Sequence, residues 1–417
     1  MVAEPSAGAE VGAGEAPPFA LSMREFVAMM AVLMACTALT VDIMLPSLPD
    51  IVADFGLSDP NQQQYMVTTY VAAFAAGHIF AGPLADRYGR RPIILGGLVI
   101  YSVAALVAAV ADSYAMLLAA RALQGLGAAG PRVVAVAVVR DRFVGRTMSQ
   151  VMSFVLTVFI MLPVVAPTIG SVIAWVSDWR WVFGFLFVFG GATFAWVALR
   201  LPETHPRSGV GSSPPVAMGV AVRAIFAERA SVGYMIALGF LMGCLLAYVA
   251  SSQQLFADIY GIVRWFPAVF AIVAGGMVVS SIVNASLVQR LGMRVISHTA
   301  AVTFVVLSLV GVVGAALFAV PVWLLVVHLT VAFFLIGIML PNFNAIAMEP
   351  LGRIAGTGAS FVGFVMTALG AVLGGIVGQF FDGTIMPLAY GYCLYSVVIL
   401  TVILLTERGF LFKTVSN

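Results

Sequence analysis

Gly82-Pro83-Leu84-Ala85-Asp86-Arg87-Tyr88-Gly89-Arg90-Arg91 lies between two long apolar runs, and the second half of the chain carries Ser286-Leu287-Val288-Gln289-Arg290-Leu291-Gly292-Met293-Arg294. Leu84, Arg87, Gly89 and Arg91 return as Leu287, Arg290, Gly292 and Arg294, each 203 positions later. That offset is about half of the 417 residues. The chain reads as two parallel copies of one membrane unit, an organisation shared by transporters assembled from repeated halves.

Composition sets the solvent. The chain is 62% hydrophobic and 9% charged, with a mean hydropathy of +1.08. A soluble domain carries roughly 25% charged residues, so the surrounding medium here is lipid. A net charge of +2 argues against a nucleic-acid partner. Cys36, Cys244 and Cys393 lie far apart inside apolar runs and read as buried thiols. The histidines His78, His205, His298 and His328 form no ligand cluster, and no metal or other cofactor is expected. Residues 1–23 are rich in Ala, Gly, Pro and Glu and read as a disordered tail. Their acidic start is unlike a signal peptide.

A membrane helix needs about 20 apolar residues. Charge-poor stretches supply spans at Phe26–Pro46, Gln62–Leu84, Pro92–Ala111, Tyr114–Val139, Thr147–Ser177 and Trp181–Leu199. The second half supplies Ala230–Ala257, Trp265–Gln289, two spans within Val295–Met348, then Ile354–Phe381 and Gly383–Thr406. Val295–Met348 is uncharged and more than twice a bilayer long as a helix, so it must turn back, and Phe318-Ala319-Val320-Pro321 is the natural place. The expectation is an all-α integral membrane fold of twelve transmembrane helices. A bundle over 24–202 and a bundle over 230–410 are joined by a loop-like linker over 203–229, with a second tail at 411–417. Sixteen basic residues fall on one side, among them Arg24, Arg87, Arg90, Arg91, Arg140, Arg146, Arg294, Arg353 and Lys413; Arg180 and Arg264 fall on the other. Basic residues mark the cytoplasmic face, which puts both termini in the cytoplasm.

The Gly82–Arg91 segment is the candidate inner gate: Gly82, Asp86, Arg87, Gly89, Arg90 and Arg91. Its glycines permit unusual dihedrals and close backbone approach. Asp86 either pairs with Arg90 or faces the positive N-terminus of the eleventh span at Ile354–Gly358. The plainer alternative is that the arginines only anchor the loop.

This segment resembles the loop signature G-x-L-a-D-r-x-G-r-[RK] of the major facilitator superfamily. Other stretches resemble its Bcr/CflA drug-resistance branch: Asp42-Ile43-Met44-Leu45-Pro46-Ser47-Leu48-Pro49, Arg121-Ala122-Leu123-Gln124-Gly125, Arg140-Asp141, Pro163-Val164-Val165-Ala166-Pro167-Thr168-Ile169-Gly170 and Trp179-Arg180-Trp181-Val182-Phe183. The chain departs from that branch at Met44, His78, Ser171 and Pro131-Arg132. The resemblance implies proton-coupled export of small, partly hydrophobic compounds by alternating access. The proton gradient is the energy source, and the chain is a monomer in the bacterial inner membrane.

Asp42 is a carboxylate in an apolar helix. Burial favours its neutral form, which makes it a candidate proton carrier; the alternative is a solvated group near the membrane surface. A buried Arg121 needs partners. The resemblance implies a coupling role for it, through Asp42 or a water chain, and the alternative is a structural pair. Pro163, Pro167 and Gly170 are an antiporter signature by resemblance and a packing device by chemistry, with the prolines expected to interrupt the fifth span. Pro131 is expected to kink the fourth. Gln124, Arg132, His78, Tyr248 and Asn342 are the substrate-cavity candidates: the resemblance implies that helices 1, 4, 7 and 10 line the cavity, which brings in Tyr248 and Asn342, with interface anchoring as their alternative and snorkelling as that of Arg132. The glycines of the eleventh span permit close packing between the halves.

A carrier of a specific metabolite or siderophore is the rival, since Arg132 and His78 suit an anionic or chelating substrate. Enzyme chemistry is not expected, because H-E-x-x-H, a nucleophile elbow and the phosphate-binding G-x-x-x-x-G-K-[ST] loop are all missing from the sequence.

Overall fold

The computed structural model describes residues 21–143, 145–204 and 218–412. The expected tails at residues 1–20 and 413–417, and the linker stretch 205–217, lie outside the described residues. The described chain is helical: α1 (Met23–Asp42), α2 (Leu48–Asp54), α3 (Tyr65–Tyr88), α4 (Arg90–Ala109), α5 (Tyr114–Arg142), α6 (Gly145–Val176), α7 (Arg180–Arg200), α8 (Met218–Ala227), α9 (Arg229–Gln254), α10 (Phe266–Leu291), α11 (Met293–Leu317), α12 (Val322–Met348), α13 (Ala355–Gln379) and α14 (Met386–Thr406). Among the described residues eleven helices are long and apolar enough to cross a membrane. The 32-residue α6 is long enough to be a twelfth. The protein is a multi-pass membrane protein.

The 203-residue echo is a backbone device used twice. Gly89 ends α3 at φ +102° and ψ 160°, and α4 starts at the next residue. Gly292 ends α10 at φ +82° and ψ 155°, and α11 starts at the next residue. Such dihedrals are open essentially to glycine alone. The chain therefore reverses across the same membrane face at equivalent points of both halves. The turn between α11 and α12 falls at residues 318–321.

Two expectations change. Pro163 and Pro167 do not interrupt the fifth span, since α6 runs through them, and α5 likewise continues through Pro131. Proline removes the bond to the carbonyl four residues earlier, and a close neighbour can absorb the distortion. Gly97 of α4 is that neighbour for Pro131: a Cβ there would lie 2.6 Å from Pro131 Cδ. The linker is also not wholly a loop, because it holds α8, whose Ile225 is fully buried.

Glycines set the spacing of the bundles. A Cβ at Gly125 of α5 would overlap the Tyr70 carbonyl oxygen of α3, and one at Gly276 of α10 would overlap that of Thr330 in α12. On α13, Gly370 and Gly374 receive Met242 and Leu246 of α9, in the same half. Gly363 and Gly375 instead receive His78 and Thr68 of α3, and Gly378 receives Gln64 just before it, all in the other half. Glycine on two faces thus lets α13 pack closely in both directions.

Candidate functional site

The predicted residues fall at successive levels along the helices. At the arginine-rich end, Arg90 is 5% exposed and makes two ion pairs. Its Nη1 lies 2.5 Å from Asp86 Oδ1, and its Nε lies 2.8 Å from Asp141 Oδ2 at the end of α5. Glu203, just past α7, accepts the backbone N–H of Arg90 (2.9 Å) and of Arg91 (3.2 Å). A carboxylate there satisfies free N–H groups at the start of α4 and complements its dipole. Arg91 Nη2 donates to the Ala198 carbonyl at 2.5 Å. Arg87 lies over the Tyr88 ring at 5.2 Å.

Asp86 therefore takes the Arg90 pairing of its two expected partners. The side chains of residues 353–356, where the other partner begins, lie outside the described residues. The segment still meets the second half, since a Cβ at Gly82 would sit 3.1 Å from Ser360 Oγ on α13.

The second half builds a counterpart. Arg294, at the start of α11, pairs with Glu349 after α12 (3.1 Å) and with Glu407 after α14 (3.2 Å). Tyr234 O–H donates to Glu407 Oε1 at 2.8 Å and lies 2.7 Å from His298 Nε2. The Phe412 N–H donates to His298 Nδ1 at 3.3 Å. Nδ1 is thus an acceptor, so Nε2 carries the proton and donates to Tyr234.

One layer deeper lie His78 and Arg132. His78 Nδ1 is 3.1 Å from the Phe74 carbonyl, and the Phe74 ring meets the imidazole edge-on at 4.4 Å. Its Cδ2 faces Gly363 of α13.

Arg121 is fully buried inside the first half. Its Nη1 donates to Gln124 Oε1 (2.7 Å), its Nε to the Met66 carbonyl (3.2 Å) and its Nη2 to the Thr40 carbonyl (3.5 Å). The guanidinium stacks 4.5 Å from the Tyr70 ring centre. Carbonyls and a ring face hold this cation, and the expected direct link to Asp42 is not among its partners. The reason is helical phase. Thr40 and Asp42 are two residues apart on α1, so they point about 200° apart. Turning Thr40 toward Arg121 turns Asp42 away. Gln124 is fully buried as the arginine's acceptor.

Asp42 is 5% exposed and takes part in none of the ion pairs among the described residues. The 3-10 turn Leu45–Ser47, which follows Asp42, packs against α9, the helix of the other half that carries Tyr248. Tyr248 is fully buried, its hydroxyl has no partner, and Phe270, Phe333 and Phe256 surround its ring. Gly170 of α6 frames the same place, because a Cβ there would overlap the Ile43 carbonyl oxygen, next to Asp42. Pro167 is buried and Pro163 half-buried on that helix. Asn342 lies apart: its amide donates to Asn284 Oδ1 and to the Ile338 carbonyl, both at 2.7 Å, tying α12 to α10.

Sequence reasoning missed Glu203, Glu349 and Glu407 as partners of the arginines. It also missed the amides at the end opposite the arginines. Asn61, Gln64, Gln254 and Gln379 join the two halves there.

The family model described as "Major Facilitator Superfamily" matches residues 30–375. A bicyclomycin resistance protein homolog of Haemophilus influenzae is 31% identical over 394 residues, covering 92% of this chain and 96% of the relative. The multidrug resistance protein MdtL of Escherichia coli is 29% identical over 236 residues, covering 56% of this chain and 59% of that protein. A peptide transporter solved in complex with sulfate superposes with a TM-score of 0.73 at 13% identity, over 93% of this chain and 96% of its own. That likeness carries the fold alone. With the doubled glycine turn and the two sets of helices, these matches identify the chain as a transporter of the major facilitator superfamily, in the Bcr/CflA branch that its motifs resemble.

Proposed function

We propose that this transporter exports small, partly hydrophobic compounds, antibiotics among them, in exchange for protons and by alternating access. The observation that carries the reading is Asp42: a buried carboxylate, outside every described ion pair, just before a turn that packs against α9 of the other half. An unpaired buried carboxylate is far easier to hold when protonated. Its proton occupancy therefore biases how the two halves meet beside that turn. A substrate that displaces the proton there gains the cavity only when the proton leaves, which is exchange. Arg121 supplies a fixed positive field within the first half, held by Gln124 and Tyr70. The names of the bacterial relatives support export of drugs.

The arginine-rich end faces the cytoplasm in this reading, which places both termini there and the chain in the inner membrane. The working unit is one chain, since each supplies both halves. The test is efflux of a fluorescent dye from cells with and without the gene, before and after a protonophore. Gene-dependent efflux that the protonophore abolishes supports the reading. Dye levels indifferent to the gene would refute it. The second reading, a carrier of an organic anion or siderophore, is favoured by one observation, the imidazole of His78 turned toward Gly363 of α13 in the other half.

A further inference from the structure

At the end opposite the arginines the two halves are tied by side-chain amides. Asn61, in the 3-10 turn before α3, donates from Nδ2 to the carbonyls of Gln379 (3.2 Å) and Phe381 (2.7 Å). Gln379 Nε2 returns a bond to the Asn61 carbonyl at 2.9 Å. Gln254, the last residue of α9, donates to Asn61 Oδ1 at 2.9 Å and accepts from Gln64 Nε2 at 2.7 Å. All five bonds run from the first half to the second. Gln64 and Gln254 are fully buried. The ion pairs at the arginine-rich end, by contrast, each stay within one half.

The surroundings are shaped to this contact. A Cβ at Gly378 would overlap Gln64 Oε1, so only glycine lets α13 come this near. Asp59 Oδ1 accepts the Asn61 N–H at 2.9 Å, and Tyr114 O–H donates to the Gln62 carbonyl; together they hold the turn that presents Asn61. Directly after Gln254 the chain makes one π-helical turn, Leu255–Ile259. Such turns recur where a helix must change register at a functional site. Tyr248 lies six residues before Gln254 on α9, about 9 Å along the axis. The amides therefore cover the layer that holds Asp42.

We infer that Asn61, Gln64, Gln254 and Gln379 form an uncharged clasp that is the gate at this end of the protein, and that it must part for a substrate at Asp42 to leave there. The inference rests on the alternating-access reading above. A neutral clasp suits a gate that opens in every cycle. Its members exchange one set of neutral hydrogen bonds for another with water, with a small net difference, whereas a buried ion pair broken apart strands a charge.

The test uses the full chain with Cys36, Cys244 and Cys393 replaced by alanine and spin labels on cysteines at Ser58 and Arg264. Both positions are exposed on this end, one in each half. The wild-type distance distribution is dominated by its short component. Gln254→Met keeps the side-chain shape but frees Gln64 Nε2 and Asn61 Oδ1, and it raises the ratio of long to short components about tenfold, about 1.4 kcal/mol. Asn61→Ala, on a half-buried and more tolerant position, does the same. Ser308→Ala breaks a polar contact inside the second half, to Ser396, and leaves the distribution unchanged. Wild-type distributions in both Gln254→Met and Asn61→Ala would overturn the clasp. If both variants open this end while the wild type moves no dye, the gate stands and the export reading falls.

Discussion

Replacing Gly89 by alanine adds one methyl group at a point where the structure offers it neither a conformation nor space. Gly89 sits at φ +102° and ψ 160°, a region that holds a non-glycine residue only at about 1–3 kcal/mol. The added Cβ would also lie 2.5 Å from Glu203 Oε2 and 2.9 Å from its Cδ, so the carboxylate must withdraw from the N–H groups of Arg90 and Arg91. Two such bonds at an exposed site are worth about 1–2 kcal/mol together. The two effects separate in a double-mutant cycle. Glu203→Ala alone loses about 1–2 kcal/mol, and Gly89→Ala alone loses that plus the backbone strain. The double variant loses the carboxylate contact only once, so the pair couples by about 1–2 kcal/mol. Gly292→Ala is the internal control. Its φ of +82° carries similar strain, but nothing lies within 4 Å of its Cβ position, so its loss is the strain alone and adds to that of Glu203→Ala. The assay is denaturant unfolding in mixed micelles followed by tryptophan fluorescence. Additivity of Gly89→Ala and Glu203→Ala within about 0.5 kcal/mol would refute the idea that Gly89 is glycine to admit the Glu203 carboxylate.

Further outcomes follow from the same geometry. Gly170→Ala pushes α6 off the Ile43 carbonyl and loosens the framing of Asp42; overpacking of this kind destabilises by about 1–3 kcal/mol, read as a lower unfolding midpoint, and efflux falls with it. Tyr234→Phe removes the hydroxyl between His298 Nε2 and Glu407, which leaves an imidazole N–H without its partner. The loss is about 1–3 kcal/mol by the same unfolding assay, and wild-type stability would show that the network is dispensable.

Gly89 and Gly292 show why so much of the architecture was legible in the sequence. A turn that only glycine can make, flanked by apolar runs of bilayer length, prints itself in the sequence twice. The reversal at Phe318–Pro321 was forced by length in the same way. Asp42 was visible because a charge inside an apolar run has few explanations. Its surroundings were not visible. Whether Arg121 meets Asp42 depends on the rotation of α1, and a step of two residues decided against it. Glu203 sits in a linker that reads as solvated chain, and only the folded chain shows it resting on the start of α4. Pro163 and Pro167 suggested an interruption that α6 does not show, because the loss of one backbone bond at each proline leaves the rest of the ladder to carry the helix. Asn61, Gln64 and Gln379 carried no signal, since single amides at span ends look like ordinary interface residues.

The measurement that tests the central claim most directly is the change in internal pH of proteoliposomes when drug is added, comparing wild type with Asp42→Asn across cationic, neutral and anionic compounds. Asparagine keeps the shape of the side chain and cannot exchange a proton. The account predicts drug-evoked proton movement by the wild type and its loss in Asp42→Asn, with drug binding retained. Equal proton movement by both proteins would contradict it and leave Asp42 a structural residue.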